Sequence, residues 1–174
     1  MRKGQLKARM EAYLDIETTG LSPYQADLTV IGIHLVNGSS IPGLIQLVGK
    51  ECTAENVMLS LAGADTLYTY NGKGFDLPFI HRKLGIDLSR HFNHRDLMFD
   101  CWAKNLKGGL KKVECQLGIP RELTEVNGYV AVQLWWNYIN KADTGALETL
   151  LAYNREDIVN LKTLKDILLN NCTY

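Results

Sequence analysis

Residues 13–20 have the sequence YLDIETTG and place two carboxylates on one face of a predicted strand. Side chains two residues apart on a strand point the same way, so Tyr13, Asp15 and Glu17 share a face. Residues 18–23 contain no lysine or arginine that could neutralise the two acids. The carboxylates therefore repel one another unless a cation comes from elsewhere in the fold. A solvated, exposed strand face is the alternative interpretation.

The segments around this strand predict an α/β fold with a mixed sheet. Strand patterns at 12–17, 28–36 and 44–48, separated by turn residues such as the NGSS of 37–40, indicate an antiparallel meander. A further strand is predicted at 66–70, and a short strand end at Asp96-Leu97. Helical patterns cover 54–62, 77–84, 111–117, 130–139 and 146–169. We therefore expect a five-stranded sheet, antiparallel in the meander and parallel beyond it, flanked by helices.

A third acidic residue, Asp76, lies between a glycine-containing loop and a predicted helix. It follows residues 71–75, NGKGF, and precedes Leu77-Pro78, where proline is tolerated because the first helical turn has no partner for its missing N–H. Aspartate before a helix is a favoured N-cap, which is one interpretation. A carboxylate at a helix start that follows a strand also lies at the mouth of an α/β sheet, where binding sites collect. The two roles are compatible.

The predicted helix 146–169 carries a carboxylate on its apolar face. At about 100° per residue, one broad stripe contains the apolar side chains Leu147, Leu150, Leu151, Ile158, Leu161, Leu164 and Leu168. Asp157 falls inside this stripe, and Tyr153, four residues earlier, lies at its edge. A charge on a core-facing stripe is costly unless it is paired or binds a metal. An arginine or lysine partner for Asp157 is the alternative to a metal site.

Composition predicts one soluble domain over residues 1–174, because 46% of the residues are apolar and 22% are charged. The 19 basic and 19 acidic residues cancel, so any nucleic acid would be held locally rather than by an overall positive field. The chain shows neither a secretory signal nor an apolar run of membrane-spanning length, and we expect a cytoplasmic protein that does not bind membranes. Four widely spaced cysteines are interpreted as reduced thiols rather than zinc ligands: Cys52, Cys101, Cys115 and Cys172.

The acidic motifs, in this order, resemble the DEDD superfamily of 3′-to-5′ exonucleases, which have a ribonuclease-H-like fold. The spacing from Tyr153 to Asp157 is similar to that of the subgroup whose last motif carries tyrosine, the DEDDy subgroup. Within it, the chain looks most like the YprB-like ribonuclease-H-like exonuclease domains. The resemblance runs from Tyr13 to about Leu164 and includes residues 71–80 and 94–97.

The resemblance implies that Asp15, Glu17 and Asp157 hold one divalent ion, and that Asp15 and Asp76 hold a second. It also implies that Tyr153 orients or helps to deprotonate the attacking water. Carboxylate oxygens suit Mg²⁺ or Mn²⁺, and two such ions stabilise the attacking and leaving oxygens of an in-line displacement.

The implied activity is 3′-to-5′ exonuclease action on DNA or RNA with a 3′ end, for which a protein partner is a candidate source of specificity. The alternatives are a structure-selective endonuclease on the same fold and a non-catalytic nucleic-acid-binding module. The first two hypotheses share the phosphodiester chemistry, and they differ in how the strand is recognised. The complete acidic set, together with Tyr153, argues against the third.

Basic and aromatic clusters outside these motifs are weaker candidates for nucleic-acid contact. Short basic clusters are usually solvated helix faces, but phosphate contact is the alternative for the lysines at 107, 111 and 112 and for the HRK of 81–83. Trp135-Trp136 could stack on bases, although adjacent helical tryptophans point in different directions, so at least one belongs in the core. Structural roles are expected for the histidines, and Asp96 is expected in a strand-end turn.

Overall fold

Five strands form one mixed sheet in the order β3-β2-β1-β4-β5. The computed structural model describes residues 10–36 and 43–170, so the predicted turn at 37–40, the basic N-terminal residues and Cys172 lie outside the described residues. The strands are β1 (Glu11–Thr18), β2 (Leu28–Val36), β3 (Gly43–Val48), β4 (Thr66–Thr69) and β5 (Asn93–Asp96). β1 pairs antiparallel with β2 and parallel with β4, which confirms the predicted mixed sheet.

Six helices flank the described sheet, and two short 3₁₀ helices, Gly49–Glu51 and Leu88–Arg90, lie in its connections. The helices are α1 (Ala54–Ser60), α2 (Asp76–Leu84), α3 (Leu97–Ala103), α4 (Leu110–Leu117), α5 (Gly128–Lys141) and α6 (Thr144–Asn170). Only α3 was not predicted. Its sequence, LMFDCWA, is short and largely apolar, so it shows no clear helical period.

The alternation of β1 divides the core into two layers. Ala12, Leu14 and Ile16 pack on one face of the sheet with residues of α1 and α2, such as Val57 and Phe79. Side chains of the other face pack against α5 and α6: Tyr13 and Tyr68 with Leu161 and Leu164, and Val30 with Trp135, Leu150 and Tyr153. The face that carries Asp15 and Glu17 is therefore the face that α6 covers.

The apolar stripe of α6 packs in the core as predicted. The polar residue of this stripe, Asp157, is therefore also inside the protein. Leu150, Ile158, Leu161 and Leu164 are at most 1% exposed, and Asp157 is 6% exposed. None of the described helices is long and apolar enough to cross a membrane. The described cysteines, Cys52, Cys101 and Cys115, carry free thiols.

Candidate active site

β1 and α6 bring three acidic side chains together. Asp15, Glu17 and Asp157 each offer a carboxylate oxygen, and these oxygens all lie within 4.8 Å of one another. Glu17 is 7% exposed and Asp157 is 6% exposed, while Asp15 is half-buried. The alternative of a solvated strand face for Asp15 and Glu17 is therefore wrong, because α6 lies over it.

Asp15 is held by an amide on α6 that sequence reasoning missed. Asn154 is fully buried, and its Nδ2 donates to Asp15 Oδ2 at 3.1 Å. Asn154 Oδ1 in turn accepts from Gln46 Nε2 of β3 at 3.0 Å. Gly32 of β2 lies opposite Asp15, and a Cβ at Gly32 would be 2.1 Å from Asn154 Oδ1. Asn154 lies three residues before Asp157 and thus on the same helix face, which is the signal that could have found it.

Asp76 lies at the first residue of α2 and bonds to β1 rather than capping its own helix. Its Oδ1 accepts from Ile16 N at 3.2 Å, and Asp76 is 3% exposed. The N-cap is Phe75, which makes no side-chain capping bond, so the N-cap interpretation of Asp76 is wrong in its geometry. The pairing of β1 with β4 ends at Tyr13 and Tyr68. Beyond this point, the Asp76 carboxylate accepts the hydrogen bond from the backbone N–H of Ile16 in β1. Asp76 is not part of the group whose oxygens lie within 4.8 Å.

The four candidate ligand carboxyls, Asp15, Glu17, Asp76 and Asp157, have raised pKa values. Burial, reinforced by neighbouring carboxylates, holds the pKa values of Asp15 and Glu17 well above their usual range. Burial raises the pKa of Asp76 to about 7, against the opposing effect of its backbone hydrogen bonds. Burial also raises the pKa of Asp157 to about 6, although the Arg121 guanidinium opposes the shift. The site thus carries excess negative charge that a divalent cation would relieve.

Arg121 is a buried cation that Asp157 shares with two other carboxylates. Its Nη2 lies 2.6 Å from Asp157 Oδ1, close enough for an ion pair although not aligned as a hydrogen bond. The same guanidinium donates from Nη1 to Glu114 Oε2 at 2.6 Å and contacts Glu156 at 3.1 Å. The arginine partner proposed as an alternative for Asp157 is therefore present. It coexists with the acidic group, because one guanidinium cannot neutralise its three partners together with Asp15 and Glu17.

Tyr153 lies beside the same carboxylates with its ring between two cations. The Lys111 Nζ lies 4.8 Å from the ring centroid, and the Arg121 Cζ lies 5.7 Å from it. Lys111 Nζ also donates to the Val126 carbonyl. Burial, and then the charges of Asp157, Glu17 and Asp15, raise the pKa of Tyr153 above its usual range. The phenol therefore keeps its proton at neutral pH and is suited to donate a hydrogen bond.

Two cavities meet at these side chains. One, of about 530 Å³, is lined on its apolar side by Leu21, Phe75, Tyr129 and Val132. The other, of about 780 Å³, extends towards α3 and α4. Both are lined by Asp15, Gly128, Tyr153 and Asp157. Their sizes lie within the range of small-molecule sites, so the carboxylates stand between two spaces that could each receive part of a ligand.

Asp96 organises the loop that leads to Asp76. It ends β5, and its carboxylate accepts from Asn71 N at 2.8 Å, from Lys73 N at 3.0 Å and from Met98 N at 3.1 Å. The expected strand-end position is therefore correct, and the bond to Met98 also caps α3. The sequence did not predict the hydrogen bonds from Asn71 and Lys73 to Asp96, because they join segments that are far apart in the chain.

The basic and aromatic residues considered for nucleic-acid contact lie partly in the core and partly at the surface. Trp135 is 9% exposed and packs in the core, whereas Trp136 is 45% exposed. His94 Nε2 lies 2.9 Å from Thr69 Oγ1, in agreement with a structural role. The lysines at 111 and 112 line the 780 Å³ cavity, and His81 lines a separate cavity of about 630 Å³.

Comparison with known proteins agrees with this architecture. The family model of the RNase H superfamily matches residues 12–169. The uncharacterized protein YprB of Bacillus subtilis (strain 168) is 28% identical over an alignment of 168 residues. The match covers 87% of this chain and 40% of that protein. The chain thus spans less than half the length of this relative.

Solved structures of NrnC from Brucella melitensis have a similar fold. The structure bound to pGG has a TM-score of 0.62 and 20% identity, covering 91% of this chain and 71% of that chain. The structure with bound Mg²⁺ has a TM-score of 0.58 and 18% identity, covering 92% of this chain and 72% of that chain. At these identities the likeness shows a shared fold.

Proposed function

Because the chain belongs to the RNase H superfamily, we propose that it is a metal-dependent 3′-to-5′ exonuclease that hydrolyses phosphodiester bonds of DNA or RNA. The observation that carries the proposal is the group formed by Asp15, Glu17 and Asp157, whose oxygens lie within 4.8 Å of one another under α6. The similar fold of NrnC, solved with Mg²⁺ and with pGG, supports the metal and the nucleic-acid substrate. The 3′-to-5′ direction rests on the resemblance to the DEDDy exonucleases.

The acidic residues fit divalent metal in donor type and in charge. Asp15, Glu17 and Asp157 would hold one Mg²⁺ or Mn²⁺, and Asp15 with Asp76 would hold a second, because hard cations prefer carboxylate oxygen. The raised pKa values of Asp76 and Asp157 come from burial of the carboxyls, which is the cost that bound cations would offset. When bound, the two ions supply Lewis-acid stabilisation of the attacking and leaving oxygens.

The chain's own residues orient the reactants. Tyr153 would orient the attacking water through its hydroxyl, which fixes the direction of attack. Asn154 holds the carboxylate of Asp15, and the Ile16 N–H holds that of Asp76. These bonds preorganise the ligands, so little rearrangement is needed when the substrate binds.

The 530 Å³ cavity would receive the terminal nucleoside of the strand. Leu21 and Tyr129 at this cavity are 86% and 73% exposed, so their apolar surfaces are available to a base. Stacking of bases on such side chains tolerates any sequence. We therefore expect hydrolysis with weak base preference.

Labelled oligonucleotides test the proposal. Single-stranded DNA and RNA carrying a 5′ label, incubated with Mg²⁺ or Mn²⁺, should give a ladder on a sequencing gel that shortens from the 3′ end. Asp15→Asn is the control and should give no ladder. A single internal cut in a circular strand would support the endonuclease alternative, and binding without cleavage in either metal would support the non-catalytic one.

A further inference from the structure

The cavity on the α3–α4 side continues away from the carboxylates along the surface. The 780 Å³ cavity is lined by Asp15 and Asp157 at one end and by Trp102 and Lys112 at the other. Trp102 also lines a neighbouring concavity of about 410 Å³, together with Lys107 and Gly108. The cavity on the other side of the site is lined by residues 15–21, by Phe75 and by α5 residues such as Tyr129 and Val132.

Two exposed aromatic side chains mark this route. Phe99 and Trp102 of α3 are 45% and 48% exposed, and their ring centroids are 5.5 Å apart in an edge-on arrangement. Lys73 Nζ lies 5.9 Å from the centroid of Phe99. Phe99 and Lys73 line a further cavity of about 630 Å³. Aromatic faces next to ammonium groups suit a chain of bases joined by phosphates.

The loop before α4 packs against Lys112, a residue of α4 that lines the 780 Å³ cavity. Tyr70 donates its hydroxyl to the Gly108 carbonyl at 2.6 Å, which fixes the loop. Gly108 has a φ of +128°, and a Cβ there would lie 2.6 Å from Lys112 Cδ, so the lysine stem packs over the glycine. The acidic residue of α3, Asp100, is paired with Arg95 by two bonds of 2.8 Å. This pairing offsets the charge of Asp100, so Lys73, Lys107 and Lys112 are the groups of this face that could attract phosphates.

We propose that the α3–α4 face, formed by Lys73, Phe99, Trp102, Lys107 and Lys112, binds the single strand on the 5′ side of the bond that is cut. This inference rests on the proposed function and adds a preference for strands longer than a dinucleotide. The terminal nucleoside would occupy the 530 Å³ cavity, whereas the preceding nucleotides need a surface that continues on the other side of the carboxylates. The bases must be unpaired, because bases stacked inside a duplex do not offer their faces to Phe99 and Trp102. DNA and RNA share this chemistry.

Strand length provides the test. The ratio of kcat/KM for a strand of about seven nucleotides to that for a dinucleotide should exceed one in wild type. Trp102→Ala should lower this ratio about tenfold, since base–aromatic stacking is lost. Trp102→Phe should restore most of the ratio. Leu59→Ala, which removes an exposed apolar side chain outside this face, is the matched control and should leave the ratio unchanged. DNA and RNA arms of the experiment show which strand the face prefers.

Binding separates this inference from the proposed function. The Kd of the longer strand is measured by fluorescence anisotropy with the Asp15→Asn protein, with and without Trp102→Ala. An affinity that depends on Trp102, found together with wild-type protein that cleaves no strand in either metal, would remove the exonuclease and keep the strand-binding face. Cleavage whose length preference is absent, or is unchanged by Trp102→Ala, would overturn the face and keep the exonuclease. An equal effect of Leu59→Ala would also overturn it.

Discussion

Asp157 lies beside a cation, Arg121, and beside the carboxylates of Asp15 and Glu17. Loss of the first contact would destabilise the fold, whereas loss of the repulsion in the second would stabilise it. In Asp157→Asn, Arg121 keeps Glu114 and Glu156 as partners, so no buried cation is left alone. The repulsion on Asp15 and Glu17 falls at the same time. We therefore expect the Tm of Asp157→Asn in excess chelator to be close to that of the wild type. It should also lose the increase in Tm that Mg²⁺ or Mn²⁺ gives by binding the folded state, as measured by differential scanning fluorimetry.

Arg121→Met provides the contrast for this measurement. It leaves Glu114, which is fully buried, without its cation, and breaking a buried pair typically costs about 3–5 kcal/mol. Lys83→Met breaks an ion pair whose Asp27 side chain is 80% exposed, and should cost about 0–1 kcal/mol. A large loss of stability in Asp157→Asn with an unchanged response to metal would mean that Asp157 is only an ion-pair partner.

The substitution Asp76→Asn distinguishes a role of Asp76 in folding from a role in metal binding. Asp76→Asn keeps an oxygen that can accept from Ile16 N, so the strand contact and the thermal stability should be retained. The charge that would hold the second ion is removed, and hydrolysis should fall by orders of magnitude. Activity assays and melting curves on the same preparation check this. Near-normal hydrolysis in Asp76→Asn would remove Asp76 from the catalytic set.

At the scale of elements, the site depends on how closely α6 approaches the sheet. Gly32 of β2 leaves the space through which Asn154 reaches Asp15 and Gln46. Gly32→Ala should displace the Asn154 side chain and cost about 1–3 kcal/mol, because the added Cβ overpacks a buried contact. It should also weaken metal binding, since Asp15 loses its hydrogen bond. Gly43→Ala in β3 is the control, because a Cβ at Gly43 makes only ordinary contacts, the nearest being 3.7 Å from Leu35 Cβ.

Local patterns predicted the elements that carry the acidic residues. The alternation of β1 placed Asp15 and Glu17 on one face, and the helical period of α6 placed Asp157 and Tyr153 on its buried side. Arg121, Gln46 and the contacts of Asp96 could not be predicted, because each reaches the site from a distant segment with no periodic signal of its own. The short helix α3 was missed for a different reason, because its seven largely apolar residues show no helical period, although its cap, Asp96, lies directly before it.

At the scale of the whole molecule, the raised carboxyl pKa values predict how stability changes with pH. The pKa of an aspartate in an unfolded chain is about 4. In the folded protein, burial raises the pKa of Asp157 to about 6 and that of Asp76 to about 7. Between these values the folded state binds more protons than the unfolded state. The contribution of these groups to the free energy of unfolding therefore falls as the pH rises from about 4 to about 7.

Metal should reverse this trend, because carboxylates bind metal when deprotonated. The increase in Tm caused by Mn²⁺ should be larger at about pH 8 than at about pH 5, where protons compete for the same oxygens. Asp76→Asn should show a shallower fall of stability with pH in chelator, because one of the titrating groups is gone. A wild-type response to Mn²⁺ that is equal at both pH values would contradict the assignment of these carboxyls to the metal.

The dependence of strand hydrolysis on divalent metal tests the central claim most directly. In the proposed function, divalent cations offset the negative charge of Asp15, Glu17, Asp76 and Asp157 that Arg121 alone does not neutralise. Wild-type protein treated with excess chelator should leave a labelled strand intact, and cleavage should return when Mg²⁺ or Mn²⁺ is added in excess of the chelator. Sustained cleavage of the strand in excess chelator would contradict the account.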